Sequence, residues 1–580
     1  MAGTLAIPGR LAAVARRAAT KPADRTAIAR TRRGSIVAVT GSLRAKPSST
    51  ILLLVILTIA LGLRLWPVNF GLPALNDPDE LMFELGAVHM LQTHTLNPGW
   101  FGHPATTTMY MLALVDVAVF LVGHALGWFA TPAAFVSRLY LNPGWVILPG
   151  RIVMVLFGVW TVALTGRLAG RIAGEEAKWA AALLLALSPV HIAWSQVVRS
   201  DIVGCVFLIL AVLSALDVME DKPRVIRGAL WCALAIASKW PFAIGGLAMI
   251  AALGWRWKTG RMPLTMALRA GIAFVALVPV LLIVIAPYLL IAHDTVLGDL
   301  AGEAQVHHLG ATGGGPLTNA WWYLSGPLTT AFGMVGLLLC GLGAWTLRRD
   351  AFARVLLWPL LIVFMVVFSC QHLVWERWIL PLLPFLAVFG GVGLCTLRHW
   401  LALRTGAVAG AGLALGSACL PLTLTDVAAA HARANNTAQQ ASAWAIAHIP
   451  PGSTVLIEHF GFDLLSQPWH MLFPFGDAGC IDPRHALEGK IDHRTISNGR
   501  GARSNVDYGT VAPDRRSTCA ADYAILTQYD RYLAEKDDFP REFDAYRRLL
   551  AQGQVVATFA PRDGYSSGRF VRIVRFSSRK

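Results

Sequence analysis

Apolar runs of helical length follow one another from Ile51 to Leu424, separated by short polar connections. A run of about 20 apolar residues can cross the hydrocarbon core of a bilayer, and a spanning helix satisfies its own backbone hydrogen bonds. Hydrophobic residues make up 55% of the chain and charged residues only 14%, whereas soluble domains are about 25% charged. The sequence therefore predicts an all-α polytopic membrane bundle.

The pattern predicts eleven spanning helices. They are residues 51–66, 149–170, 176–195, 201–219, 226–238, 241–255, 269–291, 326–347, 355–370, 377–397 and 405–425. Two of them, 226–238 and 241–255, are short for a core of about 30 Å. We expect these two to form a tilted or bent pair around Lys239 and Pro241.

Basic residues set the predicted orientation. Residues 1–48 contain many Lys and Arg residues and a single acid, Asp24, and the connections GRLAGRIAGEEAK, EDKPRVIR, WRWKTGRMPLTMALR, LRRDAFAR and RHWLALR are also basic. Because basic loops stay in the cytoplasm, residues 1–48 are predicted to be a cytoplasmic tail and residues 51–66 a signal anchor. An organellar transit peptide has a similar composition. The net charge of +16 comes from these loops, without the aromatic-interleaved patch typical of nucleic-acid binding.

One apolar run, residues 105–127, does not fit the alternation of cytoplasmic and external connections. Counting it as a span would place the basic N-terminus and GRLAGRIAGEEAK on opposite sides of the membrane. The run contains Asp116 and His124, and an Asp at mid-bilayer costs about 2.5–3.5 kcal/mol on insertion scales. We expect an interfacial or re-entrant helix inside one long external loop, residues 67–148.

The composition changes after Leu424. A helical segment, TAQQASAWAIAHI, is followed by the strand-like runs STVLIEHF, ADYAILT, QVVATFA and FVRIVRF, which Pro, Gly and Asp separate. The residues from 426 to 580 are therefore predicted to form a small external α/β domain. Its cysteines, Cys480 and Cys519, form a disulfide if the compartment is oxidising, and are otherwise two unpaired thiols.

Four acids, Asp77, Asp79, Glu80 and Glu84, lie just beyond the first predicted helix in FGLPALNDPDELMFELGAVHM. Acids at the start of a helix suit its macrodipole, so one interpretation is a solvated or capped helix end. The other is a catalytic site at the membrane surface.

The order of the motifs that follow favours the catalytic interpretation. It resembles the GT-C superfamily of polyprenyl-phosphate-sugar-dependent glycosyltransferases, in particular the protein O-mannosyltransferases and the lipid A aminoarabinose transferases. The resemblance covers approximately residues 50–400. The matching positions are Asp79 and Glu80, His103 and Pro104, Arg151, Asp201, Lys239, and Arg377, Pro381 and Pro384 in ERWILPLLPFL. The aminoarabinose transferases carry Lys-Pro-Pro where this chain has His-Pro-Ala, a departure at a position expected to contact phosphate.

The resemblance implies the transfer of a sugar from a lipid carrier. Residues 49–425 are expected to form a GT-C-like transmembrane catalytic domain, with a second external loop at 293–325. We expect Asp79 to be the catalytic base, with Glu80 and Asp201 in support. The leaving phosphate gains charge, so fixed cations or imidazoles are expected around it. The candidates for donor binding are His103, Arg151, Arg199, Lys239, His307, His308, His372 and Arg377.

Two of these cations have simpler interpretations. Lys239 can reach the interface along its aliphatic stem, and Arg377 can pair with Glu376. A metal site in EAQVHHLGATGGGP would use Glu303 and the adjacent histidines, but adjacent histidines do not share a helix face. A flexible Gly-rich substrate loop is the preferred interpretation, and a monophosphate donor requires no metal cofactor.

The predicted function is transfer of a sugar from a polyprenyl monophosphate to an external glycan, lipid or protein acceptor by an inverting single displacement. The predicted location is the inner membrane, with the C-terminal domain in the periplasm. A transporter or lipid-glycan flippase is the alternative, although the sequence shows no internal repeat. A noncatalytic scaffold would leave Asp79, Asp201 and Lys239 unexplained.

Overall fold

The computed structural model describes residues 49–458, 461–482, 484, 498–499 and 506–577. The predicted basic tail, residues 1–48, lies outside the described residues. The described residues from 52 onward form one compact unit, in which a helical membrane part is followed by a small mixed sheet with its own helices.

Every apolar run predicted to be a span contains an α-helix. The helices up to residue 258 are α1 Ser49–Leu65, α2 Asp79–Thr93, α3 Thr106–Ala125, α4 Pro132–Leu141, α5 Gly144–Ala173, α6 Glu175–Ala186, α7 Pro189–Trp194, α8 Ser200–Met219, α9 Val225–Ser238 and α10 Gly246–Lys258. Those that follow are α11 Leu264–Ile285, α12 Tyr288–Ile291, α13 His293–Glu303, α14 Pro316–Tyr323, α15 Thr329–Thr346, α16 Trp358–Ser369, α17 Leu383–Thr405 and α18 Ala407–Ala434.

Fewer described helices than the predicted eleven have the length and composition of a membrane span. Among the described residues, seven helical segments are long and apolar enough to cross a membrane: Thr106–Ala125, Gly144–Ala173, Ser200–Met219, Leu264–Ile285, Pro316–Thr346, Leu383–Thr405 and Ala407–His448. Three shorter apolar helices, Ile51–Leu65, Val225–Ser238 and Ala353–Ser369, accompany them. The predicted span at 176–195 is divided because Pro189 starts a new short helix, where proline is favoured at the first helical position. The protein is a multi-pass membrane protein, and the count of eleven is not confirmed.

The apolar run at 105–127 forms a continuous helix, α3, that meets the length and composition of a span. Its Asp116 is only 1% exposed, because it faces the bundle and interacts with Glu84 of α2. The insertion cost that argued against a span assumed a carboxylate facing lipid, so that argument does not apply to this geometry. Whether α3 crosses the membrane stays a prediction.

Helices α15 and α17 approach each other closely through glycines. A Cβ atom added to Gly343 would overlap the carbonyl of Phe389, and one added to Gly393 would overlap the carbonyl of Leu339. Small residues are enriched where membrane helices pack at short distance. Helix α8 lies in the middle of the bundle, packed on α5, α9 and α10, and most of its residues are buried.

The basic connections predicted to share the cytoplasmic side meet at one end of the bundle. Arg171 pairs with Asp217 at 2.8 Å and with Glu220 at 2.8 Å. Arg256 pairs with Asp221 at 2.8 Å. These contacts join three different connections, as the assignment to one side requires.

The C-terminal part is a three-layer α/β domain. Its strands are β1 Thr454–Ile457, β2 His470–Pro474, β3 Cys480–Ile481, β4 Tyr523–Leu526, β5 Gly553–Phe559 and β6 Val571–Phe576, and its helices are α19 Thr437–His448, α20 Tyr529–Ala534 and α21 Pro540–Leu550. The sheet order is β3-β2-β1-β4-β6-β5, with β2, β1 and β4 parallel. In β1, β2, β4 and β6, side chains on the two faces of the sheet enter two separate cores, as expected from the alternation of side chains along a strand.

The four strands predicted from the sequence are present, and the two short strands β2 and β3 were not predicted. The expected helix at TAQQASAWAIAHI is α19. Cys480 and Cys519, the predicted pair, form a disulfide with a Cα–Cα distance of 5.0 Å. Gln439 of α19 donates to the carbonyl of Gly71 at 3.2 Å, so this domain and the first long loop lie at the same end of the bundle.

Candidate active site

The first two residues of helix α2, Asp79 and Glu80, point in different directions. The carboxylate of Asp77 accepts the backbone N–H of Asp79 at 3.0 Å, which stabilises the first turn as a capping residue does. Successive helical residues are about 100° apart. The Asp79 side chain is 41% exposed, whereas Glu80 is fully buried, so only Asp79 is open to a substrate.

Glu80 forms a buried, two-point ion pair with Arg151. The guanidinium donates to the Glu80 carboxylate at 2.8 Å and 2.6 Å and to the carbonyls of Val68 and Phe70 at 2.9 Å and 2.8 Å. Glu80 also accepts the N–H of Val198 at 3.0 Å. Both side chains of the pair are inaccessible. This geometry fastens the first loop to helix α5, and it offers neither group to a donor phosphate.

Arg199 forms ion pairs with both Asp77 and Asp79. Its Nη2 lies 2.8 Å from Asp77 and 2.6 Å from Asp79. Burial would raise the pKa of Asp79, but the Arg199 and Arg377 guanidinium groups and His103 together hold that pKa below its ordinary value. Asp79 is therefore deprotonated at neutral pH, the form needed to accept a proton.

Asp201 and Lys239 form a second buried pair, with the Lys239 Nζ 2.6 Å from Asp201 Oδ1. Lys239 is 4% exposed. It does not extend along its stem to an aqueous interface, so the snorkelling interpretation is wrong. The residue lies in the break between α9 and the 3₁₀ turn Trp240–Gly245, the bent pair that the sequence predicted.

Arg377 is a cation of this site for which the described residues provide no carboxylate partner. Its side chain is 7% exposed, and the structure shows no hydrogen bond or ion pair to its guanidinium among the described residues, the buried Nε included. The group lies over the ring of Trp375 at 4.3 Å. The alternative pairing with Glu376 is absent, since Glu376 instead accepts a hydrogen bond from Trp194 at 3.1 Å.

His103 interacts with both pairs and with Arg377. Its electrostatic neighbours are Lys239, Arg377, Asp201 and Asp79, so all of these groups surround one imidazole. Burial, together with the nearby cations, lowers the pKa of His103 well below its ordinary value. A neutral imidazole can contact a phosphate only as an N–H donor, and its Nδ1 is buried without a partner.

Helix α13 adds an acid that the predicted site did not include. Glu303 lies 3.8 Å from His103, and burial and Asp79 raise its pKa. Asp299, one turn earlier, accepts the backbone N–H of Phe101 at 2.7 Å. In the sequence, this acid begins the segment EAQVHH and indicates only a possible metal ligand.

The three other candidate histidines have different surroundings. His308 packs edge-on against Trp375, with ring centroids 4.9 Å apart. His307 and His372 are exposed, and neither makes a side-chain contact with the acids or cations described above. Among the described residues, no group of three or more potential metal ligands is found.

The comparisons with known proteins agree with this fold. Residues 126–283 match the family model of dolichyl-phosphate-mannose-protein mannosyltransferase. The structure resembles ArnT from Cupriavidus metallidurans bound to undecaprenyl phosphate, with a TM-score of 0.51 and 16% identity over 92% of this chain and 98% of that one. The apo form of that protein gives a TM-score of 0.50 with 16% identity over 91% and 98% of the two chains.

An archaeal oligosaccharyltransferase, AglB from Archaeoglobus fulgidus, is also similar, with a TM-score of 0.46 and 12% identity over 91% of this chain and 74% of that one. No curated protein sequence gives a significant match. The protein has the GT-C fold, which confirms the predicted resemblance. The family-model match supports the glycosyltransferase class.

Proposed function

We propose that this protein transfers a sugar from a polyprenyl monophosphate carrier to an acceptor on the non-cytoplasmic side of the inner membrane. The observation that carries the proposal is the buried Arg377 guanidinium, which has no carboxylate partner among the described residues although Asp79 and Asp201 are within electrostatic range. A buried charge without a partner is costly, so an anionic ligand is expected to complete this site.

The donor phosphate is assigned to Arg377, with Lys239 in support. A guanidinium matches the oxygens of a phosphate at two points, and the Trp375 ring fixes its plane. Lys239 shares its charge with Asp201 and contributes less net attraction. The apolar carrier would lie along the membrane helices, and the sugar would point toward Asp79.

The transfer is proposed to be an inverting single displacement. The acceptor oxygen forms a bond to the anomeric carbon as the bond from that carbon to the phosphate oxygen breaks. The phosphate leaves with the electron pair, and Arg377 stabilises the charge that develops on it. Asp79, whose side chain is partly exposed, takes the proton of an acceptor hydroxyl.

The remaining predicted residues act indirectly in this scheme. Arg199 orients Asp79, Asp201 orients Lys239, and the pair of Glu80 and Arg151 holds the loop in place. His103 contributes an N–H donor. Glu303 is the alternative proton acceptor, because its raised pKa makes it the stronger base.

The test is sugar transfer by purified protein in lipid vesicles, supplied with a radiolabelled polyprenyl-phosphate sugar and an extract of cell-envelope acceptors. Removing one charge-stabilising donor typically costs 10²- to 10³-fold in rate, so we expect that loss in Arg377→Gln and a smaller one in Arg377→Lys. The matched control is Arg404→Gln, which also removes a guanidinium over a tryptophan ring, that of Trp400. Equal rates for Arg377→Gln and the control would refute the phosphate assignment.

Mass spectrometry of envelope glycans and lipids after deletion of the protein identifies the acceptor class. A modification present in the parent and missing in the deletion strain is the expected result. Unchanged glycans combined with altered distribution of a lipid-linked sugar between the two leaflets would instead support the flippase alternative.

A further inference from the structure

The connection between α13 and α14, residues 304–315, inserts one side chain into the C-terminal domain. Leu309 is 0% exposed and belongs to the core formed by Tyr508, Tyr532 and Tyr546 on one face of the sheet. A leucine from the membrane part therefore completes a hydrophobic core that is otherwise built by residues after 455.

The backbone on either side of this leucine is also held by the C-terminal domain. Arg531 donates to the carbonyl of Leu309 at 2.6 Å, and the Glu535 carboxylate accepts the N–H of Gly310 at 2.9 Å and 3.1 Å. Gly310 has φ +77°, and a Cβ atom there would collide with Arg531. Glycine is needed for both the backbone conformation and this close approach.

The next residues join the segment that carries Arg377. Gly313 donates to the carbonyl of His372 at 2.7 Å, and Val374 donates to the carbonyl of Ala311 at 2.8 Å. These bonds pair the connection with residues 372–374. His308 packs on Trp375, the ring that lies beneath the Arg377 guanidinium.

We propose that the C-terminal domain positions the phosphate-binding Arg377 by holding Leu309. Leu309, Arg531 and Glu535 are positioning residues, and none of them touches the substrate. The route is continuous: the domain core holds Leu309, the paired backbones hold residues 372–374, and Trp375 holds the guanidinium plane. The inference about catalysis rests on the proposed function. The chain of contacts from Leu309 to Arg377, which we call the mechanical link, does not depend on it.

The mechanical link is tested by hydrogen exchange of the full-length protein in lipid nanodiscs. Leu309→Ala is expected to accelerate exchange at least tenfold in peptides containing Gly313 and Val374. The matched control is Leu549→Ala, which truncates a leucine of the same core but not of the connection. If both variants change the two peptides equally, or neither does, Leu309 serves only the stability of the domain and the proposal is wrong.

A second variant covers the case in which Leu309→Ala fails to fold. Arg531→Met removes the donor to the Leu309 carbonyl from the surface of the domain without opening the core. It is expected to accelerate exchange of the same two peptides at least threefold. Unchanged exchange there overturns the role given to Arg531.

The catalytic part is tested by combining variants. Leu309→Ala is expected to lower kcat/KM for the donor about tenfold, and Leu309→Met to restore most of it. In an Arg377→Gln background, Leu309→Ala should cause no further loss, because the group that it positions is gone. A full tenfold loss in that background would show that Leu309 acts independently of Arg377. An inactive wild type would contradict the proposed function and leave the exchange result decisive for the mechanical link.

Discussion

Three acids in the first two turns of helix α2 have different environments. Asp79 is partly exposed beside Arg199, Glu80 is buried against Arg151, and Glu84 is buried beside Asp116. Asp79 is accessible to a ligand, Glu80 fastens a loop, and Glu84 is a carboxyl group with no cation partner among the described residues. Three predictions follow from this difference in surroundings.

Asp79→Asn should abolish the general base while preserving size and most hydrogen bonding. Loss of a general base typically costs about 10²- to 10⁴-fold in rate. The measurement is turnover of the vesicle assay, together with donor binding, which should persist. Glu303→Gln is the comparison: if it loses the larger factor, Glu303 and not Asp79 accepts the proton.

Arg151→Leu should destabilise the protein strongly because it leaves the Glu80 carboxylate buried and unpaired. Breaking such a pair from one side costs about 3–5 kcal/mol, whereas replacing both charges by apolar groups is often tolerated. The double variant Glu80→Leu with Arg151→Leu is therefore expected to melt well above the single variant. Additive losses in melting temperature would show that the two groups do not act as a pair.

Glu84 should make stability depend on pH. Burial raises its pKa from 4.5 to about 7, so the folded protein binds this proton more tightly than the unfolded chain does. The free energy of unfolding then falls as pH rises from about 4.5 to 7, and the destabilisation is complete above pH 7. A shift of this size corresponds to roughly 3 kcal/mol.

The variant Glu84→Gln removes this titration. Its melting temperature should exceed that of the wild type at pH 8 and differ little near pH 5. Glu175→Gln, at an exposed side chain, is the control and should leave the pH profile unchanged. A Glu84→Gln profile parallel to that of the wild type would contradict the assignment.

At the scale of elements, helix packing depends on which face a small residue occupies. Gly341 and Gly343 are two residues apart in α15 and point to different faces, since each residue turns the helix by about 100°. A Cβ atom at Gly341 meets open space, and one at Gly343 meets the backbone of α17.

Gly343→Ala should therefore destabilise the bundle and Gly341→Ala should not. Forcing a methyl group into a packed contact typically costs about 1–3 kcal/mol, whereas alanine in an open helical position is favoured over glycine by up to about 1 kcal/mol. Thermal unfolding in detergent measures both. Similar melting temperatures for the two variants would show that α15 and α17 can separate without loss.

At the scale of the whole molecule, the distribution of charged residues and the contacts between segments distinguish two ends of the protein. The basic connections meet at one end, and the first loop, the candidate site and the C-terminal domain meet at the other. From the positive-inside rule we expect the first end to face the cytoplasm. The disulfide suits an oxidising compartment at the second.

Reporter fusions test this orientation. A periplasm-active reporter fused after β6 is expected to be active, and the same reporter in the connection between Glu220 and Arg224 to be silent. Thiol labelling of denatured, unreduced protein adds an independent measurement, since Cys480 and Cys519 should resist alkylation until reduced. The reverse pattern of reporter activity would invert the topology.

Local pattern determined much of this protein. The apolar runs predicted the membrane bundle, the alternation after residue 426 predicted four of the six described strands, and the position of the two cysteines after residue 426 predicted their disulfide. These features depend on the chain's own hydrophobicity and spacing, which act over a few residues. The acids of the first loop and Lys239, in their order, predicted the GT-C resemblance.

Only the tertiary structure decided which charged groups share a site. It joined Asp79 with Arg199, buried Glu80 with Arg151, added Glu303, left His307 and His372 on the surface, and inserted Leu309 into a distant core. Each result depends on residues far apart in the chain, because burial and the choice of ion-pair partner arise only when helices pack against one another. The sequence shows that a residue can be charged, but the packing of the helices determines which groups its charge interacts with.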